Sequence, residues 1–66
     1  MKIILNGKEF ILERPVSVRG LVALRGITNP SVVVERNRAI VNREEWDMVM
    51  IAEGDTVEVL SLVGGG

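Results

Sequence analysis

The sequence predicts an α+β fold, a mixed sheet of four to five strands with one helix packed across a single face. Short runs of apolar and β-branched residues recur at both ends and in the middle of the chain, one stretch spaces its apolar residues as a helix does, and Asn6-Gly7 is the strongest short hairpin signal a sequence offers. A length of 66 residues leaves room for one small core and one domain. With 47% hydrophobic and 26% charged residues, the composition is that of a folding chain rather than a disordered one.

Taken in order, residues 2–6 and 9–13 are apolar-rich runs on either side of the Asn6-Gly7 turn, which predicts an opening hairpin. Phe10 and Leu12 alternate with Glu9, Ile11 and Glu13 and are assigned to the core face. Pro15 interrupts that pattern, and Ser17 can cap a following helix. Val18, Leu21, Val22 and Arg25 then recur at helical spacing, which predicts a helix over 18–25 with Gly26 at its C-terminal cap. Gly20 within it costs about 1 kcal/mol relative to alanine and reads as a tolerated glycine rather than a point of close approach to the sheet.

Thr28-Asn29-Pro30-Ser31 forms a loop before the β-branched run 32–36, which turns at Asn37-Arg38 into a short strand over 39–41. Asn42 reads as the cap of a single helical turn with Glu44 and Glu45 near its positive end, and Trp46 as a ring over the edge of the core. Met48 and Met50 alternate with Val49 and Ile51, and the default assignment for both methionines is core filling. Glu53-Gly54-Asp55 is the last tight turn. Residues 56–62 form the last strand, with Val57 and Val59 inward and Glu58, Leu60 and Leu62 outward.

The resulting order (strand, strand, helix, strand, short strand, strand) is that of a β-grasp. The first and last strands then run parallel at the sheet centre, and the helix supplies the crossover they require. Residues 1–63 constitute this domain and 64–66 a flexible glycine tail.

Composition also removes whole classes of function. Eight basic residues against nine acidic ones are interspersed, and the only rings are Phe10 and Trp46, so neither a basic field nor a stacking platform for nucleic acid exists. No apolar stretch is long enough for a membrane span or a signal-peptide core, which points to the cytoplasm and away from membranes. The chain has no Cys and no His, hence no thiolate ligand and no imidazole base. Ser17 and Ser61 lack an activating partner, Glu44, Glu45 and Asp47 match no metal loop, and no phosphate-cradling glycine motif is present. No cleft is expected in so small a fold. The expectation is a protein with no catalytic residue, no metal and no bound cofactor.

Gly64-Gly65-Gly66 is different in kind. Without Cβ atoms these residues contribute nothing to a core, but they make a thread slender enough for a narrow active-site tunnel. The carboxylate at its end, with an ordinary pKa of roughly 3.3 to 3.7, is ionised and a poor electrophile at neutral pH. Three glycines by themselves also fit an ordinary frayed terminus; in the functional reading, adenylation by ATP makes the carboxylate a mixed anhydride, and a sulfur nucleophile that displaces AMP leaves a thiocarboxylate. Transferable sulfur is then held without any cysteine side chain. Leu60 and Leu62, just ahead of the tail, would form a patch for docking the enzyme that receives it, unless a twist or bulge of the strand buries them.

Asn6-Gly7, Val34-Glu35-Arg36-Asn37 with Ile40-Val41, the stretch from Gly54 through Val59, and the ending Val63-Gly64-Gly65-Gly66 together resemble the ThiS family of thiamine-biosynthesis sulfur carriers. The resemblance spans essentially the whole chain. It implies that Gly66 is adenylated by a ThiF-like enzyme using ATP, then thiocarboxylated with sulfur from a donor such as a cysteine desulfurase. Delivery to a ThiG-like thiazole synthase follows, with Gly64 and Gly65 in the partner's tunnel. Arg38 departs from the glycine usual at its position, and Asn42 from a common proline. The small subunit of molybdopterin synthase shares the fold and glycine end, although shortness and the Glu35-Arg36-Asn37 stretch favour the thiazole pathway. A ubiquitin-like modifier is the alternative of a different class.

Overall fold

The computed structural model describes residues 1–61. Two strands, β1 (Lys2–Leu5) and β2 (Lys8–Ile11), are followed by helix α1 (Val18–Leu24), then β3 (Val32–Arg36), β4 (Ala39–Val41), a 3₁₀ turn (Arg43–Glu45) and β5 (Thr56–Ser61). Among the described residues these strands form one mixed sheet in the order β2-β1-β5-β3-β4. β1 and β5 are parallel, and the other neighbours are antiparallel. This is the β-grasp arrangement the element order predicts.

Both hairpins turn through two residues of positive φ, the combination that matches the right-handed twist of paired strands. In the first, Asn6 (φ 50°) and Gly7 (φ 82°) join Leu5 to its register partner Lys8. The second joins Arg36 to Ala39 through Asn37 (φ 53°) and Arg38 (φ 72°). Arg38 therefore holds the left-handed conformation despite its Cβ, so the departure from glycine leaves the turn geometry intact at a cost in strain.

α1 begins where Ser17 Oγ accepts the Gly20 N–H at 3.0 Å. It ends in a Schellman motif: Gly26 (φ 71°) donates to Ala23 O and Ile27 to Val22 O. Val18, Leu21 and Val22 are its buried face. A Cβ on Gly20 would stand 3.3 Å from Val16 Cβ and 3.4 Å from Ser17 Oγ, so its crowding is against the cap residues and not the sheet. The core that α1 closes contains Ile3, Leu5, Leu12, Val34, Val41, Ile51 and Val57, with Phe10 and Val59 packed against it.

Three expectations require correction. Trp46 is 3% exposed and belongs to the core rather than its edge, with Nε1 donating to Val41 O at 3.0 Å and the Arg43 guanidinium 4.3 Å from the ring centre. Met48 and Met50 are 73% and 49% exposed, whereas Ile51 is buried and Val49 packs on the core. The reason is backbone pairing: Val18 N donates to Val49 O and Ile51 N to Val16 O, which turns Val49 and Ile51 inward. Asn42 occupies the cap position of the 3₁₀ turn, but its side chain makes no capping hydrogen bond.

The start of β5 is fastened by one buried carboxylate. Asp55 accepts from Arg36 Nε at 2.7 Å, Asn37 Nδ2 at 3.0 Å and the Ala52 backbone N–H at 2.8 Å. Asn37 in turn accepts the Thr56 N–H at 2.9 Å. Burial pushes the Asp55 carboxyl up, but the hydrogen bonds from Arg36, Ala52 and Asn37 and the Arg36 charge outweigh it, so its pKa lies below the ordinary value.

Candidate functional site

β5 is the strand that leads toward the glycines, and its alternation decides what a partner meets on the way. Val57 is buried and Val59 half-buried on the helix side; Thr56, Glu58 and Leu60 turn to the open face of the sheet. Leu60 is 42% exposed. Its register partner on β3 is Val33, and one step along the same face Glu35 pairs with Glu58. Glu35 also pairs with Ile40 on β4, which is 63% exposed. The open face thus presents Val33, Leu60 and Ile40 around two neighbouring carboxylates. Arg38 lies beside them and lines the same shallow depression with Thr56.

Leu60 is the residue of the anticipated docking patch that the structure describes. Leu62, Gly64, Gly65, Gly66 and the boundary between 63 and 64 lie outside the described residues. Val33 and Ile40 were not anticipated. A signal existed for Val33: in the run Val32-Val33-Val34 the two outer valines must share one face, which leaves the middle one on the other.

Three of the remaining polar candidates have structural employment. Asp47 is paired with Arg19 at 2.6 Å, Ser17 Oγ caps α1, and Ser61 Oγ accepts from Asn29 Nδ2 at 2.9 Å. Among the described residues no three Asp or Glu side chains converge where a metal ion could be held. A groove does exist, contrary to expectation: about 600 Å³ between β2 and α1, lined by Phe10, Leu12, Val16 and Leu24, with Arg25 over the Phe10 ring. Its titratable groups are Glu13, Arg14 and Arg25, and it takes no residue from β5.

The model of the ThiS family matches residues 3–66, nearly the whole chain. The chain belongs to the ThiS family. Sulfur carrier protein ThiS of Bacillus subtilis is 33% identical over 63 residues, covering 94% of this chain and 96% of its own length. A crystal structure of the thiamine biosynthesis protein ThiS from Geobacter metallireducens superimposes with a TM-score of 0.88 at 30% identity, covering all of both chains. The chain is also 39% identical over all 66 residues to thiazole synthase of Magnetococcus marinus, but spans only 20% of that protein's length. No described helix is long and apolar enough to cross a membrane.

Proposed function

We propose that this protein is a cytoplasmic sulfur carrier of thiazole formation in thiamine biosynthesis, acting as the substrate of other enzymes and not as an enzyme itself. The observation that carries the reading is the ThiS family match, which extends through Gly64, Gly65 and Gly66.

In this reading the α-carboxylate of Gly66 attacks the α-phosphorus of ATP in the site of a ThiF-like adenylating enzyme, and pyrophosphate leaves. A sulfur nucleophile supplied from a cysteine desulfurase then attacks the acyl carbon. The nucleophile is the outer sulfur of a persulfide, so the carbon–sulfur bond forms as the carbon–oxygen bond to AMP breaks to give an acyl disulfide. A thiol then cleaves its S–S bond, releasing Gly66 as a thiocarboxylate and leaving the donor sulfur in a disulfide. The carrier contributes no acid or base. Its part is to deliver an unhindered carboxyl on a thread that a tunnel can admit, which is the proximity component of catalysis. ATP belongs to the adenylating enzyme, and the carrier holds no cofactor.

A thiazole synthase is the acceptor. The similarity of the whole chain to one fifth of a protein named thiazole synthase supports that pairing, since in that relative the like domain shares one polypeptide with the rest of the protein. The open face around Leu60 suits docking: apolar side chains flank Glu35 and Glu58, so a partner with a basic group set among apolar ones complements it in both charge and burial.

The test is intact-mass analysis of the protein incubated with ATP, the adenylating enzyme and a sulfur source. A chain ending at Gly66 that exchanges one oxygen for sulfur, and then returns to the carboxylate when thiazole synthase and its substrates are added, is the expected result. An adenylated chain that ends joined to a lysine through an isopeptide bond would instead identify a protein modifier.

A further inference from the structure

Two asparagine side chains fasten the end of β5, which is paired with β3 as far as Ser61 but has lost its β1 neighbour on the other side. The parallel ladder between β1 and β5 has its last register pair at Leu5 and Val57, and the last backbone bond across it runs from Asn6 N to Val57 O at 2.9 Å. Beyond that point β1 leaves the sheet, because Asn6 and Gly7 turn back into β2. The next β5 donor facing the vacated side is Val59 N. It is met by Asn6 Oδ1 at 2.8 Å, a side-chain amide oxygen standing where a continuing strand would have placed a carbonyl. On the opposite flank, Asn29 Oδ1 accepts the Ser31 N–H at 2.8 Å, which fixes the loop entering β3. Its Nδ2 donates to Ser61 Oγ at 2.9 Å. One amide therefore lies on each side of the final residues of the strand.

We propose that Asn6 and Asn29 are positioning residues: they fix Val59 and Ser61 at the end of β5, and so the root from which the chain continues to the carboxylate presented to the adenylating enzyme. The inference rests on the carrier function proposed above. Its physical basis is geometric. A carboxylate at the end of a short thread reaches a productive line of attack more often when the root of the thread is fixed, and small misplacements of reacting groups cost large factors in rate. The tail itself has no Cβ to orient it, so orientation has to be imposed at its root. Asn6 is suited to both duties at once, since asparagine tolerates the left-handed conformation that the hairpin demands and carries the acceptor that Val59 needs.

The experiment compares the full chain with Asn6→Gly, Asn6→Asp and Asn29→Ala in ATP–pyrophosphate exchange catalysed by the ThiF-like enzyme, as a function of carrier concentration. Asn6→Gly keeps a residue at ease in the turn but removes the acceptor, and Asn6→Asp restores an acceptor in a residue the turn also accepts. Expected is a fall in kcat of about tenfold for Asn6→Gly and Asn29→Ala with KM for the carrier changed less than about twofold, and recovery of most of kcat in Asn6→Asp. Amide hydrogen exchange at Val59 should quicken by about tenfold in Asn6→Gly while that of the core amide of Val34 stays as it was.

Unchanged kcat in both variants overturns the proposal. So does a rise in KM alone, which would mark a docking role, or exchange that quickens equally at Val34, which would mark general destabilisation. Wild-type protein inert to the adenylating enzyme would overturn the carrier reading and this use of the amides with it. Exchange at Val59 would then still report whether Asn6 fastens the strand.

Discussion

The Asp55 carboxylate and the Arg36 guanidinium meet at 2.7 Å across 19 residues of sequence, joining the second hairpin to the turn from which β5 starts. Asp55 is 6% exposed and satisfies two further donors, Asn37 Nδ2 and the Ala52 N–H, so removing its charge strands several groups together. Asp55→Asn should cost about 2 to 3 kcal/mol, a large part of the stability of so small a domain, and lower Tm by roughly 10 °C or more.

The same carboxylate sets an acid limit. Its folded-state pKa is held below the ordinary value, so the unfolded chain binds the proton more readily. The stabilisation is complete above about pH 5 and is lost as pH falls through the lowered folded value. Urea midpoints measured between neutral and strongly acid pH should decline in the wild type, and decline less steeply in Asp55→Asn. Equal slopes would show that other carboxylates govern the acid response.

Arg38 pays for its left-handed backbone, φ 72°, with strain that glycine would not incur. Opposing this, its charge lies beside Glu35 and Glu58, an exposed arrangement worth little in water. Arg38→Gly should therefore raise stability by about 0.5 to 1 kcal/mol and Tm by a few degrees. A lower Tm would mean that the guanidinium does more for the two carboxylates than its exposure suggests.

How far the fold could be read ahead of the structure depended on how local each determinant was. Both hairpins were legible because Asn6-Gly7 and Asn37 carry their own turn chemistry, and α1 was legible because Ser17 and Gly26 mark its two ends. Met48 and Met50 were misassigned because every residue in 48–51 is apolar; alternation then gives two faces without saying which is inward. Pairing with residues 16–18, some thirty positions away, makes that choice. Asp55 looked like a turn residue since its principal partners are 18 and 19 residues distant. At the site, Leu60 followed from strand alternation, whereas Ile40 reaches the same face through the register of β4 on β3, which no short-range pattern encodes.

Trp46 is the chain's single tryptophan and a direct probe of the core. Its native emission should be blue-shifted and move red on unfolding. Trp46→Phe removes the bond to Val41 O and leaves unfilled volume, at an expected cost of about 2 to 3 kcal/mol measured by chemical denaturation. A red native emission would place the ring in water and contradict the packing described.

Leu60 separates docking from folding more cleanly than any other described residue of β5. It is 42% exposed on the open face, beside Val33 and one register step from the Glu35–Glu58 pair, so a lysine there displaces little packing and can extend into solvent. Leu60→Lys should change stability by less than about 1 kcal/mol. Against the adenylating enzyme the effect should be larger. An apolar contact beside the two carboxylates would be exchanged for a charge that must be desolvated on binding, and the added cation would oppose a partner surface suited to Glu35 and Glu58. The expected result is a rise of at least about tenfold in the KM for the carrier in ATP–pyrophosphate exchange, with kcat at saturation nearly retained. This is the reverse of the split expected for Asn6→Gly, and measuring both variants side by side distinguishes a surface that binds from a root that aims. A Leu60→Lys protein that binds normally would move the docking surface away from the open face of the sheet.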